Sequence, residues 1–335
     1  MRFRTSVVVL SALAGLLVTP VAAQAVPCAV TDAMTKASQA WLTNGTDLAA
    51  NTWSNANYHA GNLRLVRTTG VSNHKTLPWA RGNGYKIPFD PAHPFASDPQ
   101  SSAEPYLELT FFHNDAIVLQ ASRENFQAQV KDGRTDYWRT PDALNMSLPS
   151  FTRIALLDKD QAMLDYSYQS YKSLKRRTFN EFTGLWSFHT QTNGWAVQGL
   201  AKAIIALPAD SPIRADYART LRRTAATLKH FQRRDGFWNA SLIGGHGIES
   251  ASTAMITYAI AAGINAGVLD KDAYLPVVQK GWAALTGKAL AADGKLGYVQ
   301  ARGSSKPASA ADTAGFAVGS FLIAGEQLTK LTPGC

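Results

Sequence analysis

Helical periodicity runs from one end of this chain to the other, and the alternation of apolar and polar residues that marks a half-buried strand is almost absent. A chain patterned in this way can bury its apolar stripes only by packing helix on helix. Segments with helical spacing or composition number about twelve: 28 to 42, 52 to 69, 71 to 83, 101 to 113, 115 to 130, 140 to 156, 159 to 177, 194 to 206, 211 to 233, 250 to 267, 270 to 288 and 312 to 330. Several breaks are chemically marked, such as Pro208, Asp210 and Pro212, or the glycine stop before Asp270. In "WAVQGLAKAIIAL" the apolar stripe is Trp195, Val197, Leu200, Ile204 and Ile205, whereas "AMITYAIAAGINAG" is apolar nearly all round and predicts a helix covered on most sides. Six hairpins of about fifty residues each, the more apolar helix of each inside, predict an all-α (α/α)6 barrel. An irregular helical array satisfies the same pattern.

The ends of the chain carry different information. Arg2 and Arg4 precede an apolar run from Ser6 to Val18 and then "VAAQA", the pattern of a secretory signal peptide over residues 1 to 25. The remainder, 26 to 335, is expected to be one domain, secreted or periplasmic, and no later run is long and apolar enough for a membrane span. Removing the leader takes the formal charge from +9 to about +7, which suits a polyanionic partner. The cationic residues are scattered, and the one cluster, "KSLKRRT" at 172 to 178, sits where a helix end favours cations, so nucleic acid is not the expected partner. An acidic carbohydrate fits the charge as well. The two cysteines, Cys28 and Cys335, lie at opposite ends and could pair if the termini meet; no Cys/His spacing points to a metal.

The long non-helical pieces, 87 to 100, 178 to 193, 234 to 249 and 289 to 311, are where chemistry is expected to collect. Asp142, in "RTPDALNMSLP", is either an N-cap of an apolar helix or a site carboxylate, and Trp138 before it either packs or stacks on a sugar. "RRDGFWNASL" is a helix stop with core aromatics or a sugar subsite containing Trp238. In "GGHGIESASTAMITY", Ser250, Ser252 and Thr253 open a buried helix whose free N–H groups could receive a substrate carboxylate, with His246 as a possible donor. Two Asn-Gly-aromatic runs invite comparison. "PWARGNGYK" reads as a helix stop at Asn83 and Gly84, and "HTQTNGWAVQGL" as a loop entering a pocket helix.

Four stretches, "NGWAVQGLAKAIIALP", "DGFWNASL", "ESASTAMITYAIAAGINAGVLD" and "GFAVGSFLIAGEQL", resemble in order and spacing the unsaturated uronyl hydrolases of glycoside hydrolase families 105 and 88. "WSNANYHAGNLRLVRTTG" and "PDALNMSLPSFTRIALL" extend the resemblance upstream over essentially the whole mature chain. It implies an (α/α)6 barrel that removes an unsaturated uronic acid from the non-reducing end of acidic oligosaccharides, with no metal or organic cofactor. The implied chemistry is hydration of an enol ether by an aspartic acid. Residue by residue, it places Asp142 at the family's first aspartate, and Asn193, Trp195, Trp238, Ser250, Ser252 and Thr253 in the pocket. The second aspartate is expected shortly after "TGLW", where no acid occurs and His189 stands near its place. His189 is therefore the second expected proton-transfer residue, and Asp98, which resembles another acidic position of the family, an acid that would compensate. A non-catalytic relative that kept the barrel and lost its acid is the competing expectation, and another carbohydrate-active chemistry on the same barrel a third.

Overall fold

The computed structural model describes residues 29–70, 75–113, 115–304 and 306–332. The leader, Cys28 and Cys335 lie outside the described residues, as does the side chain of His246. Among the described residues fourteen helices follow one another: α1 Ala29–Asn44, α2 Trp53–Thr69, α3 Thr76–Gly82, α4 Ser97–Gln100, α5 Ala103–Leu109, α6 Ile117–Asp132, α7 Ala143–Met146, α8 Leu148–Asp158, α9 Gln161–Thr178, α10 Thr190–Ala206, α11 Pro212–Phe231, α12 Ser250–Asn265, α13 Lys271–Ala284 and α14 Gly315–Leu331. A π-helical turn, Leu285–Ala289, extends α13, and a short antiparallel hairpin pairs β1 Asn239–Ser241 with β2 Gly245–Ile248.

Helices α2, α5, α8, α10, α12 and α14 each pack on the next, and α14 returns to α2, closing an inner ring. Around it lie α1, α3, α6, α9, α11 and α13, so the chain alternates outer helix, inner helix six times. This is the (α/α)6 barrel that the periodicity predicts. Burial follows the pattern: every residue of α12 from Ser250 to Ile264 is buried, whereas α9 and α11 keep one polar face. No helix among the described residues is long and apolar enough to cross a membrane.

The alternation sets where a site can be. Connections from outer to inner helices, such as 83–96, 179–189, 232–249 and 290–314, are long, while inner-to-outer ones, such as 159–160 and 207–211, are short. All the long connections therefore gather at the face where the inner helices begin. Backbone N–H groups of several long helices point there, a field that favours anions. The boundaries bear on this rim. "PWARGNGYK" is a helix stop as expected, with the left-handed residues being Gly84 and Tyr85 while Asn83 keeps φ at −90°. "TQTN" is not loop but the first turn of α10, with His189 as the residue before it. Sequence alternation also missed α4 and the β1–β2 hairpin, both inside stretches read as loops.

The opposite end of the barrel is closed by buried charge. Arg64 meets Glu326 at 3.2 Å and Glu108 at 3.3 Å, Arg153 meets Glu108 at 2.6 Å, and Lys202 meets Glu104 at 2.7 Å. Five inner helices are thus tied in one register. Burial alone would raise the Glu326 carboxyl, but Arg64, then Lys330 and Arg67, outweigh it and hold it down at about 2. A carboxyl lowered by folding contributes stability that is complete above its unfolded value near 4.3 and is lost as pH falls through 2. Glu326→Gln is expected to cost on the order of 3 kcal/mol at neutral pH, with the difference from wild type shrinking on acidification. Urea unfolding at stepped pH checks this; a gap that stays constant to pH values near 2 contradicts it.

Candidate active site

Segment 297–314 crosses the rim where the inner helices begin. Ser250 N–H donates to the Tyr298 carbonyl at 2.9 Å, and Ser250 Oγ to the Gly297 carbonyl at 2.6 Å. Gln300 is gripped at both backbone groups: its N–H donates to Glu249 Oε1 at 3.1 Å and its carbonyl accepts from Gln191 Nε2 at 3.1 Å. Two residues later, Arg302 extends over the mouth.

Arg302 joins the two acidic residues of the rim. Its Nη1 lies 2.6 Å from Asp98 Oδ2 and its Nη2 2.8 Å from Asp142 Oδ2. The guanidinium carbon sits 5.2 Å from the ring centroid of Trp53, which is itself braced by Phe316 at 5.0 Å and Trp195 at 6.0 Å. Asp142 is 8% exposed and does not act as a cap, since its backbone is already helical (φ −57°, ψ −31°) and its side chain bonds no helix N–H. Of the two readings of Asp142, the helix cap is the one this geometry does not support. Burial pushes the Asp142 carboxyl up; Arg302 opposes the rise and the neighbouring Asp98 charge adds to it. Asp98, in the first turn of α4, is half-exposed. Beside the pair opens a cleft of about 410 Å³ bordered by His93, Phe95, Asp98, Tyr137, Arg139 and Arg302. A buried acid with a raised proton affinity, a second carboxylate and a cation at the rim of a cleft can exchange a proton with a bound molecule and hold its anionic group.

Other residues expected at the site lie elsewhere or serve the scaffold. His189 is exposed, its backbone bridges to Ser241, and no hydrogen bond or ion pair links it to Asp142. Asn193 is buried and clamps the turn before α10, accepting from Trp186 N–H at 2.9 Å and donating to the Ser187 carbonyl at 2.6 Å. Trp138, Trp195 and Trp238 are at most 1% exposed, and Trp238 Nε1 donates to the Leu228 carbonyl at 2.8 Å. These rings are packed in the interior and are not presented to solvent. Ser250, Ser252 and Thr253 are buried too, and the start of α12 does receive a carboxylate, but it is that of Glu249. That side chain accepts from the Ala251 and Ser252 N–H groups and from Ser252 Oγ.

Three residues of the rim escaped sequence reading: Arg302, Trp53 and Glu249. Glu249 had a usable signal, an acidic residue directly before a buried helix that opens on small polar residues. Arg302 had none, for its partners lie 160 and 204 residues away in the chain. Among the described residues no group of three or more His, Cys, Asp or Glu side chains could hold a metal ion.

Known proteins resemble this chain in sequence and in fold. Residues 29–332 match the family model for glycosyl hydrolase family 88. An unsaturated 3S-rhamnoglycuronyl hydrolase of Formosa agariphila is 37% identical over 149 residues, which are 43% of this chain. Those residues span only 39% of that relative's length. A glycosyl hydrolase family 88 structure from Bacteroides vulgatus superposes with a TM-score of 0.84 at 26% identity, covering 90% of this chain and 98% of that one. A structure described as a polysaccharide lyase superposes with a TM-score of 0.86 at 27% identity, covering 90% of this chain and 97% of that one. A family match over nearly the whole described chain, on a barrel of the same shape, shows that the chain belongs to glycosyl hydrolase family 88.

Proposed function

We propose that the protein is a secreted or periplasmic glycoside hydrolase that removes an unsaturated uronic acid from the non-reducing end of acidic oligosaccharides. The observation that carries this reading is the Asp98–Arg302–Asp142 cluster: a buried acid, a carboxylate and one cation held between them. The second acid, sought after Trp186, comes instead from Asp98, 44 residues before Asp142 in the chain. The reading of a binding protein that lost an acid loses its motive with that. The relatives' names supply the substrate class, and the leader pattern of residues 1 to 25 supplies the location.

Asp142 donates its proton to C4 of the C4=C5 enol ether, and water adds its oxygen at C5, returning a proton to the aspartate pair. The product is a hemiketal at C5. Opening of the ring breaks the C5–O5 bond to give a ketone, and the freed hydroxyl leaves C1 as a hemiacetal that expels the aglycone alcohol as the aldehyde forms. One water is consumed and no oxidant is needed. Arg302 is the cation for the uronate carboxylate. When it turns to the substrate, Asp142 loses its counter-charge and gains an anionic neighbour, so proton affinity rises where the proton is needed.

Incubation with lyase-generated unsaturated disaccharides, following the ultraviolet absorbance of the enol ether, tests the reading. Loss of absorbance supports it. The polysaccharide lyase named for one neighbour is the second reading, and it predicts the reverse, since a lyase creates the chromophore that a hydrase destroys. Arg302→Gln is expected to raise KM for the unsaturated substrate by about tenfold or more, the loss of a charge-assisted contact. It also removes the group that lowers the Asp142 carboxyl. Because the protonated acid is the active form and Arg302 pairs with it in the free enzyme, the alkaline limb of the kcat/KM profile should move to higher pH. A limb that stays in place would assign it to another group.

A further inference from the structure

The carboxylate of Glu249 does more than a helix cap needs. It is fully buried directly before α12 and receives four donors. Oε1 accepts from the Ala251 and Gln300 N–H groups, each at 3.1 Å, and Oε2 accepts from the N–H and the hydroxyl of Ser252. All four donors are neutral, and burial pushes the carboxyl up. A buried cap is the bland reading, but serine, threonine or aspartate would serve the first N–H groups of α12 without so long an acid. The bond from Gln300 belongs to no cap, for its donor lies 51 residues further along the chain.

Gln300 is where the rim segment is most firmly held. Its carbonyl accepts from Gln191 Nε2 and its side chain donates to the Lys306 carbonyl at 3.0 Å, while Ser250 grips the carbonyls of Gly297 and Tyr298 just before it. Tyr298 keeps φ at 59°, a left-handed backbone that a tyrosine adopts only where its surroundings hold it. After Gln300 the chain turns outward: the Ser304 N–H closes a turn on the Ala301 carbonyl at 2.9 Å, and Ala301, Arg302 and Gly303 are exposed. Gln300 is thus the last buried residue before Arg302.

Resting on the uronyl hydrolase reading, we propose that Glu249 is a positioning residue for that reaction, fixing through Gln300 the turn from which Arg302 reaches Asp142 and the substrate carboxylate. It acts through backbone, two residues away from the guanidinium. Glutamate suits the task because its second methylene carries the carboxylate past the first turn of α12, and because an ionised carboxylate can accept from several donors at once.

Glu249→Asp separates positioning from capping. Aspartate keeps the charge and is a preferred cap, but falls a methylene short of Gln300. The expected result is a KM for unsaturated uronyl disaccharide raised about fivefold, with kcat within about twofold of wild type and a melting temperature close to it. In Arg302→Gln protein the same substitution raises KM no further, since the group it positions is gone. Hydrogen exchange reads the hold without substrate: amides of 299–303 should exchange about tenfold faster in Glu249→Asp, while those of α12 beyond its first turn keep their protection. Gln191→Ala frees the Gln300 carbonyl, leaves the cap intact and shifts exchange and KM in the same direction, so it carries the test if Glu249→Asp folds poorly. Unchanged exchange at 299–303, an unchanged KM, or a KM rise that recurs in full in Arg302→Gln protein overturns the proposal. A wild-type protein that consumes no unsaturated disaccharide sinks the hydrolase reading instead, and exchange alone then decides whether Glu249 holds the segment.

Discussion

Asp142→Asn is expected to lower kcat on unsaturated uronyl disaccharides by about a thousandfold while leaving KM nearly unchanged. The amide keeps the shape of the side chain, and its oxygen still accepts from Arg302 Nη2, so the rim is not rebuilt. What it cannot do is give up a proton to carbon. Stability should move in the other direction or not at all. A carboxyl whose folded-state proton affinity is raised by burial costs the fold free energy once pH exceeds its unfolded value, and the neutral amide removes that cost. Reduced turnover with an equal or higher melting temperature is the signature of a group kept for chemistry. Retention of more than about a tenth of wild-type activity would falsify the role of Asp142 as the proton donor. Asp98→Asn should be less severe, since Asp98 is more exposed and acts on the reaction through its charge beside Asp142 and its hold on Arg302.

How much of this was readable before the structure depends on whether a signal is local. The alternation of amphipathic and wholly apolar helices is local: the polar face of α9 and the apolar surround of α12 are each visible in a dozen residues, and together they imply outer and inner rings. Asp142 was legible in the same way, at the head of an apolar run. Asp98 stood in plain view, but Pro99 beside it reads as a turn, and in fact the pair opens the short helix α4, which aims the carboxylate at the mouth. His189 was overvalued because it occupies the place in sequence where an acid was awaited. The carboxylate that the structure sets beside Asp142, across Arg302, is that of Asp98. Arg302 lies in a stretch with no periodicity, and only ring closure, which lays segment 297–314 beside the starts of α2, α7, α10 and α12, gives it meaning. Proton-transfer groups drawn from separate hairpins are of necessity the least local feature of such a barrel.

The same closure makes one glycine decisive for fold and site together. A Cβ at Gly199, on the inner helix α10, would stand 1.7 Å from the carbonyl oxygen of Leu144 and 2.6 Å from the Asn145 nitrogen, both in α7. Those are backbone atoms and cannot rotate away. Nor can α7 drift freely, because Asn145 donates to Asn57 Oδ1 at 2.8 Å and accepts from Gln198 Nε2 and Lys202 Nζ, each at 2.9 Å. Alanine is the better helix former by about 1 kcal/mol, so Gly199→Ala sets a local gain against a tertiary clash. Overpacking against immovable backbone should win, costing about 3 kcal/mol in unfolding free energy. The displaced turn carries Asp142 with it, one residue before α7 begins, and a shift of about 1 Å at a reacting group is enough to cost on the order of a hundredfold in rate. Gly82→Ala supplies the contrast. Its Cβ would meet nothing within 4 Å, so the same substitution there should be neutral or slightly stabilising and leave turnover alone. Melting temperature and kcat measured on both variants separate the two cases. If Gly199→Ala melts with wild type, α7 can move away from α10 without cost, and the close approach does not hold Asp142 at the mouth of the barrel.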